Sequence, residues 1–185
     1  MAQTPSNMLA LGTKAPDFKL PNPSKNNALQ SLDELKGKKG TLVIFMCNHC
    51  PFVLHVIDKL EELYEDYKSQ GIEFIAINAN DANSYPADSP ENMIDFAEEK
   101  GLKFSYLYNE DQTVAKAYEA ACTPDFYFFD ENLNLVYRGQ MDDSRPGNQK
   151  EITGEDLIIA FENLLAGQDQ EEIQKPSIGC NIKWK

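Results

Sequence analysis

Cys47-Asn48-His49-Cys50 sets two thiols two residues apart, directly after the apolar run 41–46 and directly before Pro51. Three chemistries suit such a pair. It can clip a metal, sit in a core as two small apolar residues, or work as a redox couple. A zinc site needs four protein ligands, or three and a water. His49 is local, His55 is the only other histidine, and no second C-x-x-C exists. Zinc would have to recruit Cys122 or Cys180, so no metal is expected, and no other cofactor is implied.

Placement favours redox chemistry. Where a strand ends and a helix begins, unpaired N–H groups and the helix dipole stabilise negative charge. A thiol there ionises more readily and becomes the attacking thiolate. Cys47, at the tip, is read as the nucleophile. Cys50, a turn deeper, is read as the thiol that resolves a mixed disulfide, and the spacing is short enough for one disulfide. A protonated His49 would lower the thiol pKa further and make the disulfide more oxidising; the alternative is an exposed histidine that tunes nothing.

The elements that position these residues follow from periodicity. Residues 41–46 read as a buried central strand. From Pro51, Phe52, Val56, Leu60, Leu63 and Tyr67 recur at helical spacing, and Gly71 stops the helix. Residues 72–78 form a second buried strand. Ser89 before Pro90 caps a helix that ends at Gly101. Residues 104–108 read as a short strand, 111–120 as a helix, and 126–129 with 135–137 as a closing hairpin. Thr153 with Asp156 reads as a capping box for a last helix before Gly167. At the N-terminal side, 15–20 is extended, 21–29 is turn-rich, and 31–35 is a helical turn. Residues 170–185 read as a tail in which Ile178, Ile182 and Trp184 pack on the surface. The alternation argues an α/β sandwich around a mixed sheet, with 1–185 as one domain.

The chain has 185 residues, 42% hydrophobic and 25% charged, enough for a sizeable single core. Its net charge of −13 repels phosphate backbones, which argues against nucleic-acid partners. No apolar run approaches the roughly 20 residues of a membrane helix. The N-terminal stretch lacks a basic cluster before an apolar segment, so a cytoplasmic location is expected.

Three stretches carry a family resemblance. Residues 12–20, GTKAPDFKL, are similar to the entry strand of redoxins. CNHCP sits at the strand-to-helix junction. Thr123-Pro124, ahead of a buried strand, resembles the cis-proline loop of thioredoxins. Together with the ending IGCNIKW, they make the chain resemble the thioredoxin-fold redoxin (AhpC/TSA) family, and within it a C-x-x-C-containing peroxiredoxin-like subgroup. The resemblance implies a three-layer thioredoxin-like sandwich with an N-terminal redoxin extension. It implies a thiol–disulfide oxidoreductase taking protein or small-molecule disulfides, with a thiol electron donor, and a homodimer, since redoxins often pair. The Thr123-Pro124 loop would face the thiols and pair with a substrate backbone. Cys122 is a third-thiol candidate beside it, or a buried small residue, and the family's use of C-terminal thiols makes Cys180 a further resolving candidate.

The resemblance also carries an alternative, a thiol peroxidase. Peroxiredoxins place threonine three residues before the peroxidatic cysteine and an arginine near the loop. Here Cys50 would be peroxidatic, Cys47 replaces the threonine and Pro124 the arginine, leaving Arg138 and Arg145 as substitutes. Thioredoxins place tryptophan before the first cysteine and a buried acid on the strand, where this chain has Met46 and Ile44. A metal-binding redoxin is a further class, disfavoured because no histidine follows His55.

Overall fold

The computed structural model describes residues 3–185. Its strands are β1 (Gln3–Pro5), β2 (Lys19–Asn22), β3 (Ala28–Ser31), β4 (Gly40–Phe45), β5 (Ile72–Asn78), β6 (Ser105–Tyr108), β7 (Cys122–Thr123), β8 (Asp125–Asp130), β9 (Leu135–Gly139) and β10 (Ile178–Asn181). Its helices are α1 (Leu32–Leu35), α2 (Pro51–Tyr67), α3 (Pro90–Lys100), α4 (Thr113–Ala117) and α5 (Glu155–Leu165). The central sheet runs β6-β5-β4-β8-β9. β4 pairs parallel with β5 and antiparallel with β8. The sheet is therefore mixed, and the closing hairpin supplies the antiparallel half, as the sequence implies.

Every residue of β4 is buried, because the sheet is covered on both faces. Leu42 and Ile44 pack in one core with Val53, Ile57 and Leu60 of α2 and Phe161 of α5. Val43 and Phe45 point the other way, into a second core with Leu32, Ala115, Tyr118 and the entry residues Leu9 and Phe18. Strand alternation thus builds three layers from one sheet.

The capping box expected at Thr153 and Asp156 is not formed. Gly154 is the N-cap, at φ 72°, and no side chain of its own caps α5. Asp142 takes that role from the preceding loop: its Oδ2 accepts the N–H groups of Thr153 at 2.8 Å and Gly154 at 2.7 Å. The helix expected over 111–120 contracts to α4. The turn-rich 21–29 segment contains the β2–β3 hairpin.

The C-terminal tail is a strand. β10 lies between β1 and β7, antiparallel to both, with Gln3 and Thr123 opposite Cys180 on either side. Ile182 is buried in the second core and Cys180 in the first, and Trp184 keeps 42% of its surface exposed. Ile178 is half-buried, so of the three residues read as packing on the surface only Ile182 is taken into the core. Gly179 makes the close pairing possible, since a Cβ there would stand 2.6 Å from the Thr123 carbonyl carbon. Gly179→Ala is expected to destabilise the fold by about 1–3 kcal/mol or more through overpacking. The midpoint of urea unfolding measures it, and an unchanged midpoint would show that β10 yields without cost.

Asp125 opens β8 in full burial, with Tyr127 donating to its Oδ2 at 2.9 Å. Burial lifts its carboxyl to about 7. Between pH ~4 and ~7 the folded chain keeps this proton while the unfolded chain has lost it. Stability then falls as pH rises through that window and levels off above it, by a total on the order of 4 kcal/mol. Urea unfolding at several pH values should show this slope in the wild type and a flatter one in Asp125→Asn.

Candidate active site

The site forms where β4 hands over to α2. Met46 continues the strand, its N–H donating to the Ile77 carbonyl at 3.0 Å. Cys50 is the N-cap of α2, and its carbonyl accepts the Val53 and Leu54 N–H groups at 3.0 Å each. No side-chain oxygen caps this helix, so the Cys50 sulfur stands where an N-cap side chain would. Pro51 follows at the first helical position, where its missing N–H costs nothing.

The Thr123–Pro124 peptide is cis, as the resemblance implies. Thr123 meets both thiols. Its Oγ1 lies 3.5 Å from Cys47 Sγ, and its carbonyl accepts from Cys50 Sγ at 3.2 Å. The backbone edge that the resemblance gives to a substrate is, however, already covered. Ile182 N–H donates to the Ala121 carbonyl at 3.1 Å, and the same register sets Thr123 opposite Cys180. Two residues along an antiparallel ladder the pair type repeats, so Thr123 and Cys180 face each other as a hydrogen-bonding pair. Thr123 orients the sulfurs, and β10 occupies the strand position beside it.

The third thiol at the pair is Cys180, in place of the expected Cys122. Cys180 Sγ stands 2.9 Å from Cys50 Sγ. Successive side chains of a strand face opposite ways. With Thr123 turned to the thiols, Cys122 turns away, toward the carbonyls of Pro124 at 3.7 Å and Ser177 at 3.9 Å. Burial, first, and the nearby Asp125 push the Cys122 thiol far up, so it stays protonated.

Cys47 and Cys50 hold one proton between them. The hydrogen bond from Cys47 lowers Cys50 to about 5; burial opposes this, and Cys180, Thr123 and the Val53 N–H assist. Cys47 moves well above the ordinary thiol range, by its bond to Cys50, by burial and by the carboxylate of Asp88. The sequence reading put the thiolate on Cys47. In the resting arrangement the charge falls on Cys50, because more donors converge there and a buried acid stands near Cys47. Thr123 also provides for the reverse state. With the proton on Cys50, the S–H donates to the Thr123 carbonyl and the Thr123 hydroxyl is free to donate to Cys47.

Asp88 is the residue missing from the sequence reading. Its Oδ1 accepts the Asn48 N–H at 2.8 Å and its Oδ2 accepts Asn80 Nδ2 at 2.7 Å. His49 Nδ1 lies 2.7 Å from Oδ2, close but off the hydrogen-bonding line. His49 is half-buried and stacked on Tyr85, so it contacts Asp88 and opens to a groove that Asn92, Asp95 and Glu99 help to line. One atom each of Cys47, His49 and Asp88 fall within 4.8 Å of one another. These are three mixed S, N and O donors of the kind a thiophilic cation uses. The sequence-based ligand count sought the missing donor in Cys122 or Cys180. Arg138 and Arg145 are engaged elsewhere: Arg138 bonds the Leu9 carbonyl and Gln174, and Arg145 the carbonyls of Asp142 and Ser144 and the Gln140 side chain.

Thiolate absorbance near 240 nm should therefore show one ionisation per reduced chain with a midpoint near about 5. Cys50→Ser should remove it, and Cys180→Ala should raise the midpoint by deleting a donor. A wild-type protein with no thiolate below pH 8 would contradict this distribution of charge.

The sequence matches the Redoxin family over residues 10–157, a stretch that holds Cys47, Cys50, Thr123 and Pro124 and ends before β10. The crystal structure of an uncharacterized conserved protein from Geobacillus kaustophilus is similar throughout, with a TM-score of 0.97 and 54% identity over 100% of this chain and 97% of that one. Thiol-disulfide oxidoreductase ResA of Geobacillus kaustophilus is 30% identical over 70% of this chain and 68% of its own length. ResA of Halalkalibacterium halodurans is 32% identical over 57% of this chain, which spans just 55% of that relative. With four-fifths of its length matched and the thiol pair at the strand-to-helix junction, the chain belongs to the redoxin family.

Proposed function

We propose that this protein is a thiol–disulfide oxidoreductase whose working couple is Cys47 and Cys50. The observation that carries the reading is the pair of buried sulfurs at a helix N-terminus, with Thr123 of the cis-proline turn within reach of both. The similarity to proteins named thiol-disulfide oxidoreductase supports it.

Both sulfurs are buried, but Cys47 is the one beside the half-exposed His49 and Asn48, whereas Cys50 is flanked by Thr123, Cys180 and Val53. A disulfide R–S–S–R′ approaches from the His49 side, since β10 covers the Thr123 edge. The proton moves from Cys47 to Cys50 along their hydrogen bond. Cys47 attacks, the Cys47–SR bond forms, and R′S⁻ leaves. Cys50 then loses its proton, which ends on the departing thiol group, and attacks Cys47 Sγ to release RS⁻. The substrate gains two electrons, and the couple becomes the Cys47–Cys50 disulfide. His49 stands beside Cys47 during these steps, and the Asp88 carboxylate disfavours the charge that Cys47 carries as it attacks, which favours its quick transfer to the leaving thiol. The acidic lining beside His49 favours neutral or basic substrates over acidic ones. A thiol donor must reduce the couple for turnover.

A second reading has one specific observation behind it. The charge rests on Cys50, the sulfur that would be peroxidatic, which suits a hydroperoxide-reducing antioxidant enzyme. Against it, a peroxidatic thiolate gains from a guanidinium that polarises the peroxide, and both candidate arginines are bonded elsewhere. Reduced protein mixed in parallel with glutathione disulfide and hydrogen peroxide separates the two. Disulfide should consume two thiols per chain, with Cys47→Ser inert and Cys50→Ser stalled as a mixed disulfide on Cys47. Peroxide should act no faster than on free cysteine. Rapid peroxide consumption, with sulfenic acid trapped on Cys50 in Cys47→Ser, would replace this reading with the second.

A further inference from the structure

Cys50 has two sulfur neighbours. One is Cys47, its partner in C-x-x-C. The other is Cys180, 2.9 Å away, contributed by a strand 130 residues later in the chain. Cys180 is not a loose terminal thiol. It is 4% exposed, and its backbone is held on both edges, by Gln3 of β1 and Thr123 of β7. Gly179 lets β10 approach Thr123 closely enough to bring the sulfur over the N-terminus of α2. A disulfide requires about 2.05 Å between sulfurs, so under 1 Å of approach separates the two from a bond.

We propose that Cys180 is a second disulfide partner of Cys50, so that the oxidised protein exchanges between a Cys47–Cys50 and a Cys50–Cys180 bond. The inference rests on the oxidoreductase reading, which supplies the first of these disulfides. In the exchange, Cys180 gives up its proton and its thiolate attacks Cys50 Sγ. The Cys50–Cys180 bond forms as the Cys47–Cys50 bond breaks. Cys47 leaves as thiolate and takes the proton. One disulfide replaces another, so no electrons enter or leave and no outside oxidant is consumed.

The step has a chemical consequence at the open side of the site. While Cys47 is tied to Cys50, it can accept nothing. After exchange the two oxidising equivalents lie between α2 and β10, and Cys47 again carries a thiol on the His49 side. A reductant that recycles the protein then has to reach Cys50 or Cys180, or wait for the reverse exchange.

The test is disulfide mapping of the full-length protein in a Cys122→Ser background, oxidised with glutathione disulfide, quenched in acid and alkylated. Trypsin leaves Cys47 and Cys50 on one peptide and Cys180 on another. The expected products are the internally looped Cys47–Cys50 peptide and a second species in which that peptide is cross-linked to the Cys180 peptide with Cys47 alkylated. Cys180→Ser should lose the cross-linked species completely and keep the loop. Cys47→Ser, which denies Cys50 its first partner and is oxidised instead with diamide, which needs no attack by Cys47, should lose two thiols per chain to an intramolecular Cys50–Cys180 bond. A wild-type map with the loop alone, together with free Cys50 and Cys180 in oxidised Cys47→Ser, would overturn the proposal and leave the oxidoreductase reading intact. Absence of any intramolecular disulfide in the wild type would overturn both. The wild-type map needs no substitution at the couple, so misfolding of Cys47→Ser does not remove the test.

Discussion

A negative charge held on sulfur inside an apolar core is the constraint around which the rest of this molecule is arranged. Such a charge loses its hydration and survives only where donors converge on it. Here they arrive from four directions: Cys47 before the helix, Val53 within it, Thr123 across the cis-proline turn, and Cys180 from the C-terminal strand. Each belongs to a different stretch of chain. The mixed sheet brings the first three together, because β4 and β8 run side by side and deliver the α2 entry and the Thr123 turn to the same end. The small three-stranded sheet adds the fourth.

The division of charge between Cys47 and Cys50 is set from the flank by Asp88. That carboxylate is buried against Asn48, Asn80 and His49, and its field disfavours a second anion at Cys47. A helix N-terminus alone would not discriminate strongly between two thiols three residues apart. The acid beside one of them does. The same group anchors the Asn48 N–H, so the loop that carries His49 and the electrostatics of the couple depend on one side chain.

The elements with a strong period are legible in the sequence. β4, α2, β5 and α3 emerge from apolar runs, helical spacing and the Ser89-Pro90 and Gly101 caps, all local signals. So do the thiol pair and the turn that faces it. β10 is not legible: Ile178-Gly179-Cys180-Asn181 offers a glycine, an asparagine and no alternation, and what makes it a strand is pairing with residues far away in the chain. Cys180 therefore reads as tail, with a resolving role only through the family's use of C-terminal thiols, and the nearer Cys122 is the first candidate for a third thiol beside its alternative as a small buried residue. Asp88 hides for a related reason. A carboxylate in a loop of asparagines and prolines looks solvated until the tertiary structure encloses it. The resting charge on Cys50 hides for both reasons, since it depends on Asp88 and Cys180.

The pairing of β1 with β10 ties residues at the start of the chain to residues at its end, with the thiol site between them. A ribosome releases the Cys47–Cys50 stretch well before Cys180, which lies 130 residues beyond Cys50. Domains generally fold as units during synthesis, and contacts of long sequence separation close late. The central sheet and α2 therefore have their residues outside the ribosome while the fourth donor is still being made. Until β10 docks, the Thr123 edge lies open and Cys50 lacks the Cys180 thiol. The thiol site is therefore completed by the docking of β10, after the sheet and helix that carry Cys47 and Cys50.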